Sequence, residues 1–183
     1  MLYGIIETFD FRRGLTEFVR QLNRSIFSTF NAEKYLTGVF LLFDESKSKM
    51  KILDMGHSFV SLIRDGRVHP IAASDANLPV GITADIDPKM VGLSLKRGDI
   101  MLLVTDGLTE QQNQSGEEYP MKRLYKILTE HIEESLEELR ERILSDFQSF
   151  KQDAPYHDDV TFMLIRYPHE EEFEEDIKWE QVD

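Results

Sequence analysis

The chain has 183 residues, enough for one domain or a tight pair, and its 41% hydrophobic and 30% charged residues describe an ordinary soluble globular protein. Its formal charge of −13, from 21 basic and 34 acidic residues, argues against nucleic-acid backbone binding as its main role. The absence of cysteine excludes a disulfide framework, a thiolate metal site and a cysteine nucleophile, and it fits a reducing compartment.

No apolar run has the length of a membrane span, and the opening MLYGIIETFDFRR lacks the charge-then-apolar order of a secretory signal, so the cytoplasm is the expected location. In chain order, Leu15, Phe18, Val19, Leu22, Ile26 and Phe30 repeat at the spacing of one helical face and predict a helix from Leu15 to Phe30. Tyr35–Phe43 is β-branched, aromatic and continuously apolar, which predicts a buried strand. After the polar turn Asp44–Lys49, further strands are expected at Lys51–Met55, Phe59–Ile63 and Arg67–Ile71. The last two are joined across Asp65-Gly66, a two-residue hairpin signal. Ser74–Lys96, punctuated by Pro79, Gly81 and Pro88, reads as a long connection with room for one short strand.

Ile100–Thr105 is apolar throughout and reads as a strand covered on both faces. Two helices follow. Met121, Leu124, Tyr125, Leu128 and Ile132 mark the first; Leu136, Leu139, Ile143, Phe147 and Phe150 mark the second, which is entered through the capping box Ser135–Glu138. Val160–Arg166 is the last expected strand. The order predicts an α+β domain over residues 1–168, with helices covering sheet, followed by an acidic tail over residues 169–183. That tail sets eight acids and one lysine around Phe173, Ile177 and Trp179, while the rest of the chain holds 20 basic and 26 acidic residues. Such a tail is either a solvated end or an acidic segment that docks aromatic residues onto a partner or its own domain.

Chemistry is most legible at two strand ends. Thr105-Asp106-Gly107-Leu108-Thr109-Glu110 directly follows IMLLV, and His157-Asp158-Asp159-Val160-Thr161 directly precedes FMLIR. Two buried strands that end together would bring Asp106 and Asp158 close, where mutual repulsion favours a hard divalent cation such as Mg²⁺ or Mn²⁺ between them. The same residues also suit plainer roles, since Asp-Gly after a strand is a common turn and Asp-Asp before one can cap it or face water.

The stretch from Leu95 through Arg97-Gly98-Asp99 to Thr105-Asp106-Gly107-Leu108-Thr109-Glu110 resembles the signature of the SpoIIE-type branch of the PPM (PP2C-like) metal-dependent protein phosphatases. His157-Asp158-Asp159-Val160-Thr161 resembles the closing strand of that family. Leu53-Asp54-Met55-Gly56-His57 resembles its Ala-Gly-His box, with Asp54-Met55 where Asn-Ala is more usual, and Leu78-Pro79-Val80-Gly81-Ile82 resembles its Pro-Leu-Gly segment. The resemblance covers about Thr16–Tyr167. It implies a PP2C-like αββα sandwich with a two-metal centre, binding Mn²⁺ or Mg²⁺ and hydrolysing phosphoserine or phosphothreonine. Carried over residue by residue, it makes Asp106 and Asp158 metal ligands, with Asp159 the next candidate. His57, Gly107 and Glu110 are further candidates, each with a structural alternative as a turn residue or an exposed loop acid. It also implies a phosphorylated protein substrate, a STAS-type anti-sigma-factor antagonist.

Family members open with two Gly-Asp segments that supply further metal carboxylates. Here the one Gly-Asp is Gly98-Asp99, expected to be a turn launching the next strand. The chain is therefore expected to correspond to the C-terminal two-thirds of such a domain, N-terminally truncated, with an incomplete metal site. Two alternatives follow: a non-catalytic PPM-like binding module, or a homodimer in which an uncovered sheet edge pairs with a second copy. In either, Leu2, Ile5, Ile6, Phe9 and Phe11 are expected to fold over the uncovered surface.

Overall fold

The computed structural model describes residues 2–57, 59–71 and 77–167, and the acidic tail lies outside them. The chain divides into two units, residues 1–61 with 70–95 and residues 62–69 with 96–183. No helix among the described residues is long and apolar enough to cross a membrane.

The first unit opens with the short helix α1 (Leu2–Thr8), which buries none of its residues. A 3₁₀ turn at Phe11–Arg13 leads into α2 (Leu15–Phe30), which has the expected bounds. Gly14, at φ +89°, lets the chain enter α2 at a sharp angle, and left-handed Asn31 donates its N–H to the Phe27 carbonyl to close it. The apolar stripe of α2 packs Phe18, Val19, Leu22 and Ile26 against Leu53, Met55 and Val80. Phe9 joins this core, edge-on to Phe18 at 5.2 Å, and Ile5 packs against it. Leu2 and Ile6, by contrast, stay exposed, because α1 is too short to turn more than one side inward, and Phe11 on the 3₁₀ turn is also exposed.

The first unit's sheet has the order β1–β2–β5: β1 (Gly38–Asp44), β2 (Lys49–Met55) and β5 (Val91–Ser94), all antiparallel. The predicted strand from Tyr35 begins later, at Gly38, because Leu36 bonds instead to Val80 in an isolated bridge. The long connection before β5 is tied down by side-chain amides. Asn77 donates to the carbonyls of Asp54 and Lys89 and accepts the Lys89 N–H.

The second unit's sheet has the order β4–β3–β6–β7, with β3 (Val60–Arg64), β4 (Arg67–Pro70), β6 (Ile100–Val104) and β7 (Phe162–Arg166). Asp65 and Gly66 both take positive φ, 51° and 66°, as a two-residue turn matched to strand twist requires. β6 is buried nearly throughout and pairs antiparallel with β7, Ile100 opposite Arg166 and Val104 opposite Phe162. After β6 come a single helical turn α3 (Asp106–Thr109), then α4 (Met121–Glu130) and α5 (Leu136–Lys151). The capping box forms as expected: the Glu138 N–H donates to Ser135 Oγ, and the Ser135 N–H donates to the Glu138 carboxylate.

Helix α5 is fixed by a polar and aromatic cluster. Tyr119 is buried against Phe147 and Phe150 and donates its hydroxyl to Asp146 at 2.7 Å, while Arg123 grips the same carboxylate through two nitrogens. Burial, and then the Asp146 hydrogen bond, push the Tyr119 phenol well above its ordinary value of 10.0. Arg123 holds Asp146 below the usual carboxylate range.

Gly98-Asp99 is more than a turn. The Asp99 carboxylate is 2% exposed, accepts the Lys96 N–H, and takes a two-pronged hydrogen bond from the Arg64 guanidinium of β3, 2.8 Å at Nε. Its main-chain carbonyl also accepts the Tyr167 N–H just beyond β7. One residue therefore anchors the starts of β6 and the end of β7 to β3.

Candidate functional site

β6 and β7 run antiparallel, so the C-terminal end of one lies beside the N-terminal end of the other. The pairing continues past both strands: the Thr105 N–H donates to the Thr161 carbonyl at 3.0 Å, and the Thr161 N–H donates back to Thr105 Oγ1, also at 3.0 Å. This brings Asp106-Gly107 to Asp158-Asp159. A β-carbon on Gly107 would lie 2.3 Å from the Asp159 carbonyl oxygen and 3.5 Å from the Asp158 Cβ, so only glycine allows the two segments to meet this closely.

Asp106, Asp158 and Asp159 are all exposed. Asp106 Oδ1 accepts the Gly107 N–H at 2.9 Å and Asp158 Oδ1 accepts the Asp159 N–H at 2.7 Å, each carboxylate bending back on the next residue. Among the described residues none of the three forms an ion pair. Exposed all-oxygen donors of this kind suit a hard divalent cation. Yet no group of three or more histidines, cysteines or acids among the described residues is arranged to hold an ion. The residues present fit part of a metal site, not a whole one.

The remaining candidates fall out differently. Gly107 lies at the centre of the contact. Glu110 ends α3, donating its N–H to the Asp106 carbonyl at 2.7 Å, and its side chain is exposed. His57 belongs to the first unit, on the turn after β2, where its N–H donates to Asp54 Oδ1 at 2.7 Å. Gly56, at φ +76°, presses on Pro79, where a β-carbon would come within 2.8 Å of the ring, so the Met-Gly-His and Leu-Pro-Val-Gly segments form one packed corner. The second of them has a further anchor. Gly81 (φ +96°) lies so close to Ile26 that a β-carbon would be 2.3 Å from Cγ2, and buried Asn23 accepts the Gly81 N–H and donates to the carbonyls of Thr83 and Ala84.

Sequence reasoning passed over Gln111. It is wholly buried, and its side-chain amide donates to the carbonyls of Gln112 and Pro155 at 2.8 and 2.9 Å and accepts the His157 N–H at 3.4 Å. A polar residue just past a single helical turn gives no local sign of burial, since Pro155 and His157 lie more than 40 positions away.

The model of the family Stage II sporulation protein E (SpoIIE) matches residues 1–168. Phosphoserine phosphatase RsbU of Bacillus subtilis is 27% identical over 154 residues, which take in 82% of this chain and 44% of RsbU. The chain thus spans less than half the length of that relative. Among solved structures, the SiaA-PP2C domain of Pseudomonas aeruginosa superposes with a TM-score of 0.76 at 18% identity, covering 91% of this chain and 65% of that one. The phosphatase domain of SpoIIE from Bacillus subtilis (Mn presoaked) gives 0.60 at 18% identity, covering 92% and 72%. The helices and antiparallel sheets are those of a PP2C-like fold, and the family match spans nearly all of the chain: it belongs to the SpoIIE family, as a SpoIIE/RsbU-type PPM domain.

Proposed function

We propose that this chain carries part of the catalytic centre of a metal-dependent phosphoserine/phosphothreonine protein phosphatase. The observation that carries the reading is the contact of Gly107 with the Asp158-Asp159 peptide, which gathers acidic strand ends into one exposed spot. Family membership and the name of the RsbU relative support the same reaction.

In this reading Asp106 and Asp158 hold Mn²⁺ or Mg²⁺, with Asp159 beside them; a divalent ion there would supply charge neutralisation for phosphoryl oxygens and a water acidic enough to lose its proton near neutral pH. The protein's part is placement. Antiparallel pairing and Gly107 bring the segments that carry these acids together before any cation arrives, and the exposure of the acids leaves room for a phosphorylated side chain on a protein substrate. Glu110, at the end of α3, is an auxiliary group that would orient a ligand carboxylate. The substrate we infer is a phosphorylated regulatory protein of the STAS anti-sigma-antagonist type, met in the cytoplasm.

A complete two-metal centre needs carboxylates beyond those brought together among the described residues. The second reading is a PPM-like binding or dimerisation module, whose support is that the one Gly-Asp of this sequence is Gly98-Asp99. Turnover of a phosphoserine protein by the complete gene product with Mn²⁺ separates them. Hydrolysis lost on Asp106→Asn supports the enzyme. Substrate binding without hydrolysis supports the module, and light scattering that shows a dimer favours pairing through an edge such as β1.

A further inference from the structure

We propose that Gln111 is a positioning residue for the Asp106–Asp158 site, an inference that rests on the reading of that site as a metal centre. Gln111 lies one residue beyond Glu110, on the segment that leaves the site, and its amide reaches across to the segment that enters it. The Nε2 group donates to Pro155 and the Oε1 accepts from His157, so both ends of the amide hold the stretch immediately before Asp158. Its second Nε2 bond, to the Gln112 carbonyl, fixes the amide's own orientation. The Gln111 main-chain carbonyl accepts the Tyr119 N–H at 3.0 Å, and Tyr119 is itself held by Asp146.

The chemistry of the amide matters. A side chain that must donate to one carbonyl and accept from one N–H of the same segment suits an amide, which carries both functions on one rigid group, and an ionised acid, a protonated base or a hydrocarbon lacks one of them or both. Wholly buried, it cannot exchange its protein partners for water, so losing it leaves the Pro155 carbonyl and the His157 N–H without their bonds. Asp158 follows His157 directly. With one anchor at Gly107 and the other at Gln111, the peptide of Asp158-Asp159 is fixed on both sides, and the carboxylate geometry is set before an ion binds.

The test uses the full chain and two probes, amide hydrogen exchange without metal and Mn²⁺-induced broadening of amide resonances. In Gln111→Met, similar in size and without the hydrogen bonds, the His157 amide should exchange roughly tenfold faster while the sheet amides of β6 keep their protection. The Mn²⁺ concentration that broadens Asp159 should rise severalfold. If Gln111→Met does not fold, Gln111→Asn, one methylene too short to span the gap, is read the same way. Unchanged His157 exchange overturns the proposal, as does faster exchange with an unshifted Mn²⁺ response, because Gln111 would then pack the loop without setting the carboxylates. If the complete gene product, with the full ligand set, shows no broadening at Gly107 and Asp159, the metal reading fails, and Gln111 is overturned as a positioning residue for it; unchanged His157 exchange overturns Gln111 whatever the metal result.

Discussion

The Asp159 carbonyl oxygen stands 2.3 Å from the point a β-carbon on Gly107 would occupy, a distance no real side chain tolerates. Gly107→Ala must therefore push the closing segment away from α3. The obstacle is backbone, which cannot swing aside as a side-chain tip would. We expect a loss of about 1–3 kcal/mol in stability and a larger proportional loss of Mn²⁺ binding. Thermal melting with and without Mn²⁺ checks it; equal melting temperatures for parent and variant would refute the close contact.

The carboxylates themselves should behave oppositely. Asp106→Asn and Asp158→Asn remove like charges from a crowded spot, so the metal-free chain should melt no lower than its parent. In the complete gene product the same changes should cut phosphoserine turnover by about two orders of magnitude or more, since an amide keeps the shape and loses the charge that holds a dication. Variants that lose turnover only by unfolding would make these residues structural.

Asp99→Asn should cost about 1–3 kcal/mol, because a buried carboxylate bonded to Arg64 and to the Lys96 N–H is replaced by a neutral group that cannot match both. A double-mutant cycle with Arg64→Met isolates the pair. Additive losses would show that the ion pair carries no stability of its own. The expectation from sequence alone, that Asp99 only shapes a turn, gives way here: its short-range role was legible, but Arg64 lies 35 positions away.

A pH series should read the Tyr119–Asp146 pair. Asp146 is held below its ordinary value in the folded state, so its contribution is present above the unfolded carboxyl pKa and fades as acid protonates it. Tyr119 is raised, so its contribution is whole below pH 10.0 and declines in alkali. Absorbance titration should find the phenol of Tyr119 still un-ionised at its ordinary value of 10.0. Asp146→Asn should abolish the acid-side decline attributable to this pair; an unchanged acid limb would assign it elsewhere.

Gly81→Ala and Asn23→Ala both attack the anchor between α2 and the segment that follows Val80. Each should destabilise by about 2 kcal/mol or more, the first through the collision with Ile26 Cγ2 at a left-handed φ, the second by leaving one N–H and two carbonyls without partners. Because they disable one device, the double variant should lose less than the sum. Chemical denaturation of the three variants decides.

How much could be read from the amino acids depended on the range of the forces involved. Helix α2 and its bounds, the Asp65-Gly66 hairpin and the Ser135 capping box are local matters of periodicity, turn chemistry and caps, and each formed as the residues implied. Helix α1 escaped notice because seven residues give barely two turns and bury none of themselves. That the acidic segments after β6 and before β7 lie near one another followed from two strands ending in acids, but the close approach of Gly107 to the Asp159 carbonyl showed only as a turn-like dipeptide. Asn23 and Gln111 were not legible at all. Each is a buried amide whose meaning resides in carbonyls 60 and 44 positions distant.

Strand β7 is the final described element and the outermost strand of its sheet, and it takes its place beside β6 only by bridging residues such as Thr105 and Thr161, 56 positions apart. During synthesis, Asp106 emerges from the ribosome long before Asp158. Until β7 arrives, the apolar edge of β6 has no mate, and the nascent chain carries an open template for wrong pairings. The first unit can close on its own helix much earlier, while the acidic centre is the last thing the chain is able to make. A stalled or clipped product that ends before Thr161 would therefore fold its first unit and still lack the partner of β6 and the segment that Gly107 meets.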